Sequence, residues 1–182
     1  MKLATSMNGE TTAHVRQVGL YAAALAAAAG WHPRHVRQLR VAAPLHDIGK
    51  AGLHPRILVK PGPLTPAEMD VVRTHPVLGH DLIGTGALDP VLTLARTVAL
   101  THHERWDGAG YPQGLAGSRI PEAGRITGIA DVYDALVSRR SYRDALPSAE
   151  ARRIMARDRG AAFEPRLLDI FFALLDASPH TR

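Results

Sequence analysis

Val18 to Gly30 reads VGLYAAALAAAAG, thirteen residues without a charge, a proline or a strand-like alternation. Two readings compete for it. A secretory leader would show a similar apolar core followed by small residues. The stretch is mostly Ala, however, which is only weakly hydrophobic, and Glu10 and His14 occupy what would be the leader's basic region. The better reading is a buried helix, running from about Thr11 to Ala29 and closed by Gly30 as a C-terminal cap. No stretch approaches the ~20 apolar residues needed to span a bilayer.

The rest of the chain repeats the helical signal. Pro33 to His46 reads as a second helix with Pro44 bending its end. Thr65-Pro66-Ala67-Glu68 combines a Thr cap, a Pro at the first helical position and a Glu at the third. His75-Pro76 starts another helix, and Asp89-Pro90 one that reaches His103. Residues 105–120, rich in Gly and Pro, read as an ordered loop. Helices follow over Pro121–Arg139, from a Ser148 cap to Gly160, and from Glu164-Pro165 onward. No run alternates as a strand does. The expectation is an all-α fold, a compact bundle of six to eight helices, preceded by a lead-in over 1–9 and followed by a tail over 178–182.

Composition agrees. Of 182 residues, 46% are hydrophobic but only 5% aromatic, so the core is built from Ala, Leu, Val and Ile at close helix spacing. The absence of cysteine excludes disulfides, thiolate metal sites and thiol nucleophiles. A formal charge of +5 suits anionic partners such as nucleotides. The basic residues are scattered and only two Trp are present, which argues against a nucleic-acid polymer.

The ten histidines carry more information. His14, the pair His46-Asp47, His75, the pair His102-His103, and Asp131 follow one another at intervals of 27 to 32 residues. Each interval suits a helix, a turn and a return, so successive helices can deliver ligands to one interior point. Neighbours on a helix point about 100° apart. Both members of a pair can therefore reach metal only near a helix end or between two metals, and both pairs fall near predicted ends. Asp47 can bridge two metals while imidazoles complete each one. Glu10, four residues before His14, shares its helical face and can join the set. His32, His35 and His180 read as ordinary surface or hydrogen-bonded histidines, and His54 and His80 also stand outside the set.

These residues lie in longer motifs. HDIGK (His46–Lys50) resembles the signature of the HD phosphohydrolase superfamily. HHERWDGAGYP (His102–Pro112) resembles the extended signature of its HD-GYP branch. Further similar stretches follow in order: Glu10-Thr11, ILVKPGPL (Ile57–Leu64), His75-Pro76 with Gly79, GLAG (Gly114–Gly117), Ile120-Pro121, Arg125-Ile126, IADVYDAL (Ile129–Leu136), Arg140 to Arg143 and Gly160 to Pro165. The resemblance covers Glu10 to about Leu175 and implies an HD-type domain over 10–177.

The resemblance implies hydrolysis of cyclic di-GMP, a bacterial second messenger, to pGpG and then GMP. It implies two or three divalent metals, commonly iron or manganese. His14, His46, Asp47, His75, His102, His103 and Asp131 fall on ligand positions, and Glu10 on the extra ligand of three-metal members. Lys50 falls on the catalytic-site lysine, and Arg140 and Arg143 on contacts to phosphate or guanine. The Gly108–Pro112 loop falls on a segment linked with partners, notably diguanylate cyclase (GGDEF) domains. A cytoplasmic, membrane-free protein, able to form a homodimer, is expected. Attack by a hydroxide bridging the two metals, with Asp47 and Lys50 as catalytic groups, is the expected mechanism. Asp134 reads as an acid behind the ligands, Tyr111 as a loop anchor, Gly108 and Gly110 as positive-φ positions, and Asp107 as an acceptor for loop amides. The chain departs from the family at Ser141 (usually Pro), Glu164 (usually Asp) and Pro44, whose closeness to His46 puts the fine geometry of that pair in question. It also reads as lacking the sensory or receiver domain common upstream. Two other functions fit the same residues: a regulatory module that binds cyclic di-GMP or a cyclase partner with weak turnover, and a hydrolase of another nucleotide phosphoester.

Overall fold

The computed structural model describes residues 12–84, 89–139 and 144–177. Within them the helices are α1 (Thr12–Ala28), α2 (Pro33–Ala42), α3 (Pro55–Leu58), α4 (Pro66–Val72), α5 (His75–Ile83), α6 (Pro90–Thr101), α7 (Glu122–Val137), α8 (Ser148–Arg157) and α9 (Pro165–Ala177). Among the described residues, eight helices exceed a single turn and no strand forms; Arg159 and Phe163 make one isolated bridge. The all-α expectation holds.

The Ala-rich opening stretch is α1. Trp31 N–H donates to the Ala26 carbonyl at 3.0 Å and Gly30 N–H to Ala27 at 3.1 Å, with Gly30 at φ +90°, so the helix ends in a Schellman motif. Small residues let α1 lie close to its neighbours. A Cβ on Gly19 would stand 2.7 Å from the Arg40 carbonyl oxygen of α2. Val18, Ala22, Leu25 and Ala26 are buried against α2, α7 and α9. Tyr21, Tyr133 and Phe171 meet edge to face, at centroid distances of 5.1 to 5.8 Å, where α1, α7 and α9 converge.

Three boundaries differ from expectation for identifiable reasons. The second helix stops at Ala42 and passes into a 3₁₀ turn, Ala43–Leu45, because Pro44 has no N–H to give the Arg40 carbonyl. Ser148 does not cap α8. The boundary residue is Pro147, Ser148 is the first helical residue, and its hydroxyl hydrogen-bonds the Tyr133 hydroxyl at 2.9 Å. That helix also ends at Arg157, short of Gly160. The Thr65 capping box forms in full.

The 105–120 loop is ordered as expected, with the Glu104 carboxylate as its internal anchor. The buried Glu104 accepts backbone N–H bonds from Gln113 (2.7 Å) and Leu115 (2.9 Å). Asp107 accepts from Ala109 N–H at 2.9 Å. Gly108 has φ +83°, but Gly110 has no positive φ. Gly110 is required for a different reason: a Cβ there would lie 2.3 Å from the Arg105 nitrogen and 2.6 Å from the His103 carbonyl oxygen. Behind the loop, Arg125 is ion-paired with Glu164, donates to the Ile120 carbonyl and lies over the Trp106 ring. No helix among the described residues is long and apolar enough to cross a membrane.

Candidate metal centre

His46 and Asp47 lie between two 3₁₀ turns, Ala43–Leu45 and Ile48–Gly52. That irregular backbone lets both neighbours face inward, which a continuous helix forbids. His75 opens α5, and His102 is the C-terminal boundary residue of α6, with His103 just beyond. His14 comes from the first described turn of α1 and Asp131 from the interior of α7. Gly49 permits the assembly, because its backbone runs against α5.

The structure brings these side chains into two adjoining groups. Ligand atoms of Asp47, His75, His102 and His103 lie within 4.8 Å of one another, as do those of His14, His46 and Asp131. His46 joins the groups: its Nε2 is 3.2 Å from Asp47 Oδ2 and 3.8 Å from Asp131 Oδ1. Lys50 Nζ lies 2.6 Å from Asp47 Oδ2. Glu10, Arg140 and Arg143 lie outside the described residues.

Hydrogen bonds determine which nitrogen of each ring faces inward. Nδ1 of His46 lies 2.9 Å from the Ala43 carbonyl oxygen, Nδ1 of His75 2.7 Å from that of Val72, and Nδ1 of His102 3.0 Å from that of Ala99. A carbonyl only accepts, so each Nδ1 carries the proton and each neutral ring turns an Nε2 lone pair inward. His14 Nδ1 is likewise bonded to Asp134 Oδ2, at 2.6 Å. The inward lone pairs then meet carboxylate oxygens. His75 Nε2 is 2.9 Å and His102 Nε2 3.6 Å from Asp47 Oδ1, and His14 Nε2 is 3.4 Å from Asp131 Oδ1. His75 and His102 also face each other, Nε2 to Nε2, at 3.4 Å. Asp47 Oδ1 is buried and receives no hydrogen bond of acceptable geometry. Groups opposed at these distances are relieved by a shared cation, a proton on His14 or a metal ion held by the surrounding donors. The donor set, imidazole and carboxylate without thiolate, fits a divalent transition metal, with the rings oriented from behind as metal-binding histidines are.

The titration behaviour has the same origin. Burial works against ionisation of Asp47, yet the surrounding imidazoles, His46 foremost, hold its carboxyl well below the usual carboxylate range. Asp131 is likewise lowered despite its burial, by His14 and then His46. Burial lowers His14 as well, but Asp131 and Asp134 outweigh it and raise the ring to about 9. His102 and His103 are depressed, chiefly by burial. Burial, then the Asp47 charge, pushes the Tyr111 phenol up to about 12.

Of the histidines set aside in the sequence, His180 lies outside the described residues, and His32, His35, His54 and His80 stand apart from this centre. His32 and His54 accept from Arg34 N–H and Arg56 N–H, each at 3.2 Å, capping α2 and α3. His80 lies between Asp81 and Arg96. Sequence reasoning missed Glu104 as an individual contributor. A lone acid between two ligand histidines and a Gly-rich loop full of unpaired amides was the available signal. It also missed Arg73, whose guanidinium carbon lies 5.9 Å above the Tyr111 ring.

Fold and site together define an all-helical domain that gathers imidazoles and carboxylates into groups able to hold a metal ion. A family model for the HD domain matches residues 1–167, and the chain belongs to that family. It is 42% identical over 165 residues to a cyclic di-GMP phosphodiesterase of Thermotoga maritima, covering 91% of this chain and 45% of that one. It is 40% identical over 161 residues to 3'3'-cGAMP-specific phosphodiesterase 2 of Vibrio cholerae, covering 88% of this chain and 31% of that one. The chain thus spans less than half the length of these curated relatives. Among solved structures, an HDG"Y"P protein of Bdellovibrio bacteriovorus shares the fold, with a TM-score of 0.69 at 20% identity over 90% of this chain and 51% of that one.

Proposed function

We propose that this domain hydrolyses a phosphodiester bond of cyclic di-GMP, releasing linear pGpG, with GMP as a further product. The observation that carries the reading is the junction of two ligand groups at His46, between Asp47 and Asp131. The phosphodiesterases among the relatives support the reaction class.

Divalent cations bound there would neutralise phosphoryl oxygens and lower the pKa of water held between them. Asp47 presents Oδ1 to His75 and Oδ2 to His46, so its carboxylate is placed to serve both groups. His75, His102 and His103 complete one side, and His14, His46 and Asp131 the other. Asp134 fixes the tautomer and the direction of His14. Lys50 brings a compact cation beside Asp47, where it can stabilise charge gathering on a non-bridging phosphoryl oxygen. Arg140 and Arg143 would clamp phosphate or guanine edges, and Glu10 would supply a ligand to a third metal.

The imidazoles of the donor set suit iron and its carboxylates suit manganese, which are the metals proposed. A GGDEF domain is the proposed partner of the Gly108–Pro112 loop, where Ala109 is exposed. A cytoplasmic location and a homodimer complete the proposal. A second reading, cyclic GMP-AMP as substrate, is favoured by the Vibrio cholerae relative.

The test is incubation of the iron- or manganese-loaded protein, anaerobic and reduced, with cyclic di-GMP and 3'3'-cGAMP, followed by chromatography. Formation of pGpG is expected, and Asp47→Ala should lose both metal and turnover. A protein that carries metal and binds cyclic di-GMP, yet releases no product, would overturn the hydrolase reading in favour of a binding module. Exclusive turnover of 3'3'-cGAMP would replace the substrate.

A further inference from the structure

One of the five clustered imidazoles is held differently from the rest. His14, His46, His75 and His102 each present Nδ1 to a carboxylate or a backbone carbonyl. Among the described residues, the half-buried His103 ring makes no such hydrogen bond and packs against other rings. It is stacked on Tyr111 at a centroid distance of 4.8 Å and an interplanar angle of 25°. It is tilted against His102 at 4.0 Å and crosses His75 edge-on at 5.0 Å.

Tyr111 is held from its own side. Its N–H donates to the His103 carbonyl at 3.3 Å, which folds the loop back over the residue it covers. Gly110 makes this fold possible, since a Cβ there would strike the backbone of His103, Glu104 and Arg105. Glu104 then ties down the far limb through its bonds from Gln113 and Leu115. The Arg73 guanidinium also lies over the Tyr111 ring.

We infer that Tyr111 and Glu104 are positioning residues for His103: the flat contact of the tyrosine ring replaces the hydrogen bond that orients each of the other four imidazoles, and the Glu104 carboxylate holds the loop that delivers it. The inference rests on the metal-centre reading. It gives the loop tip a mechanical link to one ligand group, because displacement of Gly108–Pro112 lifts the aromatic face off His103. The ring is required and the hydroxyl is not.

The experiment uses the full chain in two arms. In the metal-free protein, ¹H–¹³C spectra of the histidine rings read the ring-current displacement of His103. Tyr111→Phe should preserve it, Tyr111→Leu should abolish it, and Glu104→Gln, which keeps one acceptor for two amides, should reduce it. In the second arm, equilibrium dialysis against Mn²⁺ reads affinity. Tyr111→Leu should weaken one of the two sites by about 10- to 100-fold, the range for losing a group that orients a ligand, and Tyr111→Phe should restore it. With Mn²⁺ saturating, kcat should fall more than KM rises. A His103 resonance indifferent to Tyr111→Leu overturns the inference, as does Mn²⁺ affinity equal to wild type in that variant. If the wild-type protein binds no Mn²⁺ while the His103 resonance responds as described, the positioning stands and the metal-centre reading fails.

Discussion

Replacing Gly49 by Ala tests how closely the site depends on one backbone contact. A Cβ at Gly49 would lie 1.9 Å from the His75 carbonyl oxygen, 2.4 Å from the Gly79 nitrogen and 2.9 Å from Gly79 Cα. All three are backbone atoms of α5, so no side chain can rotate aside. Bringing the shortest contact to 3.0 Å requires α5 and the 3₁₀ turn to separate by at least about 1 Å. His75 rides on the first residue of that helix and Asp47 lies two residues before the turn's glycine, so the separation opens the 2.9 Å approach of His75 Nε2 to Asp47. Overpacking of this kind costs about 1–3 kcal/mol, which in a domain of this size lowers Tm by roughly 2–12 °C. A misplacement near 1 Å costs on the order of 10²-fold in rate. The assay is thermal unfolding with and without Mn²⁺, alongside turnover of cyclic di-GMP. Gly52→Ala is the control, since a Cβ there meets only the flexible Leu78 side chain, at 3.3 Å. The reasoning is refuted if Gly49→Ala matches Gly52→Ala in Tm and in Mn²⁺ affinity.

Asp134→Ala removes the acceptor behind His14 and should weaken metal binding by about 10- to 100-fold; calorimetric titration with Mn²⁺ checks it, and unchanged affinity would leave Asp134 a merely structural acid. Lys50→Met should leave metal content intact while lowering kcat by about 10²–10³-fold, as loss of a group that stabilises transition-state charge does; equal losses of metal and rate would instead make Lys50 a support for Asp47. In the chelated protein His14 sits at about 9 against 6.5 in the unfolded chain. The native state therefore keeps a proton that the unfolded state releases across that window, and its contribution, at most about 3 kcal/mol, is whole below pH 6.5 and lost as pH rises to 9. His102 and His103 are shifted the other way, so their contribution changes only below 6.5; a denaturation midpoint that stays flat or rises between pH 6.5 and 9 would contradict the assignment.

Much of the fold was legible because its signals are local. Pro33, Pro66, Pro90 and Pro165 each stand at a helix start, and Gly30 and the Thr65 box work within a single turn. The convergence of His14, His46, Asp47, His75, His102, His103 and Asp131 was legible because their spacing matches helix length. What escaped depends on contacts distant in sequence. Ser148 has the chemistry of a cap, but Tyr133, 15 positions earlier, claims its hydroxyl. Gly110 reads as a flexible turn, and only the folded loop reveals that its lack of a Cβ matters more than its φ. Glu104 is an ordinary acid until Gln113 and Leu115 turn their amides toward it.

Pro44 shows how the two kinds of information combine. Read alone, it disturbs a helix that should carry His46. In the fold, that disturbance is what the site uses: with the α-helix ended at Ala42, His46 donates to the Ala43 carbonyl across a 3₁₀ turn, and Asp47 follows at φ −102°, ψ 11°. Had α2 continued, 100° per residue would have turned one member of the pair away from the centre. The same logic places His75 at a helix start and His102-His103 at a helix end. His14, in the first described turn of α1, and Asp131, inside α7, lie on helical backbone and arrive singly. The adjacent pairs therefore occupy broken backbone, as does the single His75 at the start of α5, whereas His14 and Asp131 project from regular helix, so the helix breaks are part of the geometry that brings these side chains together and not interruptions of it.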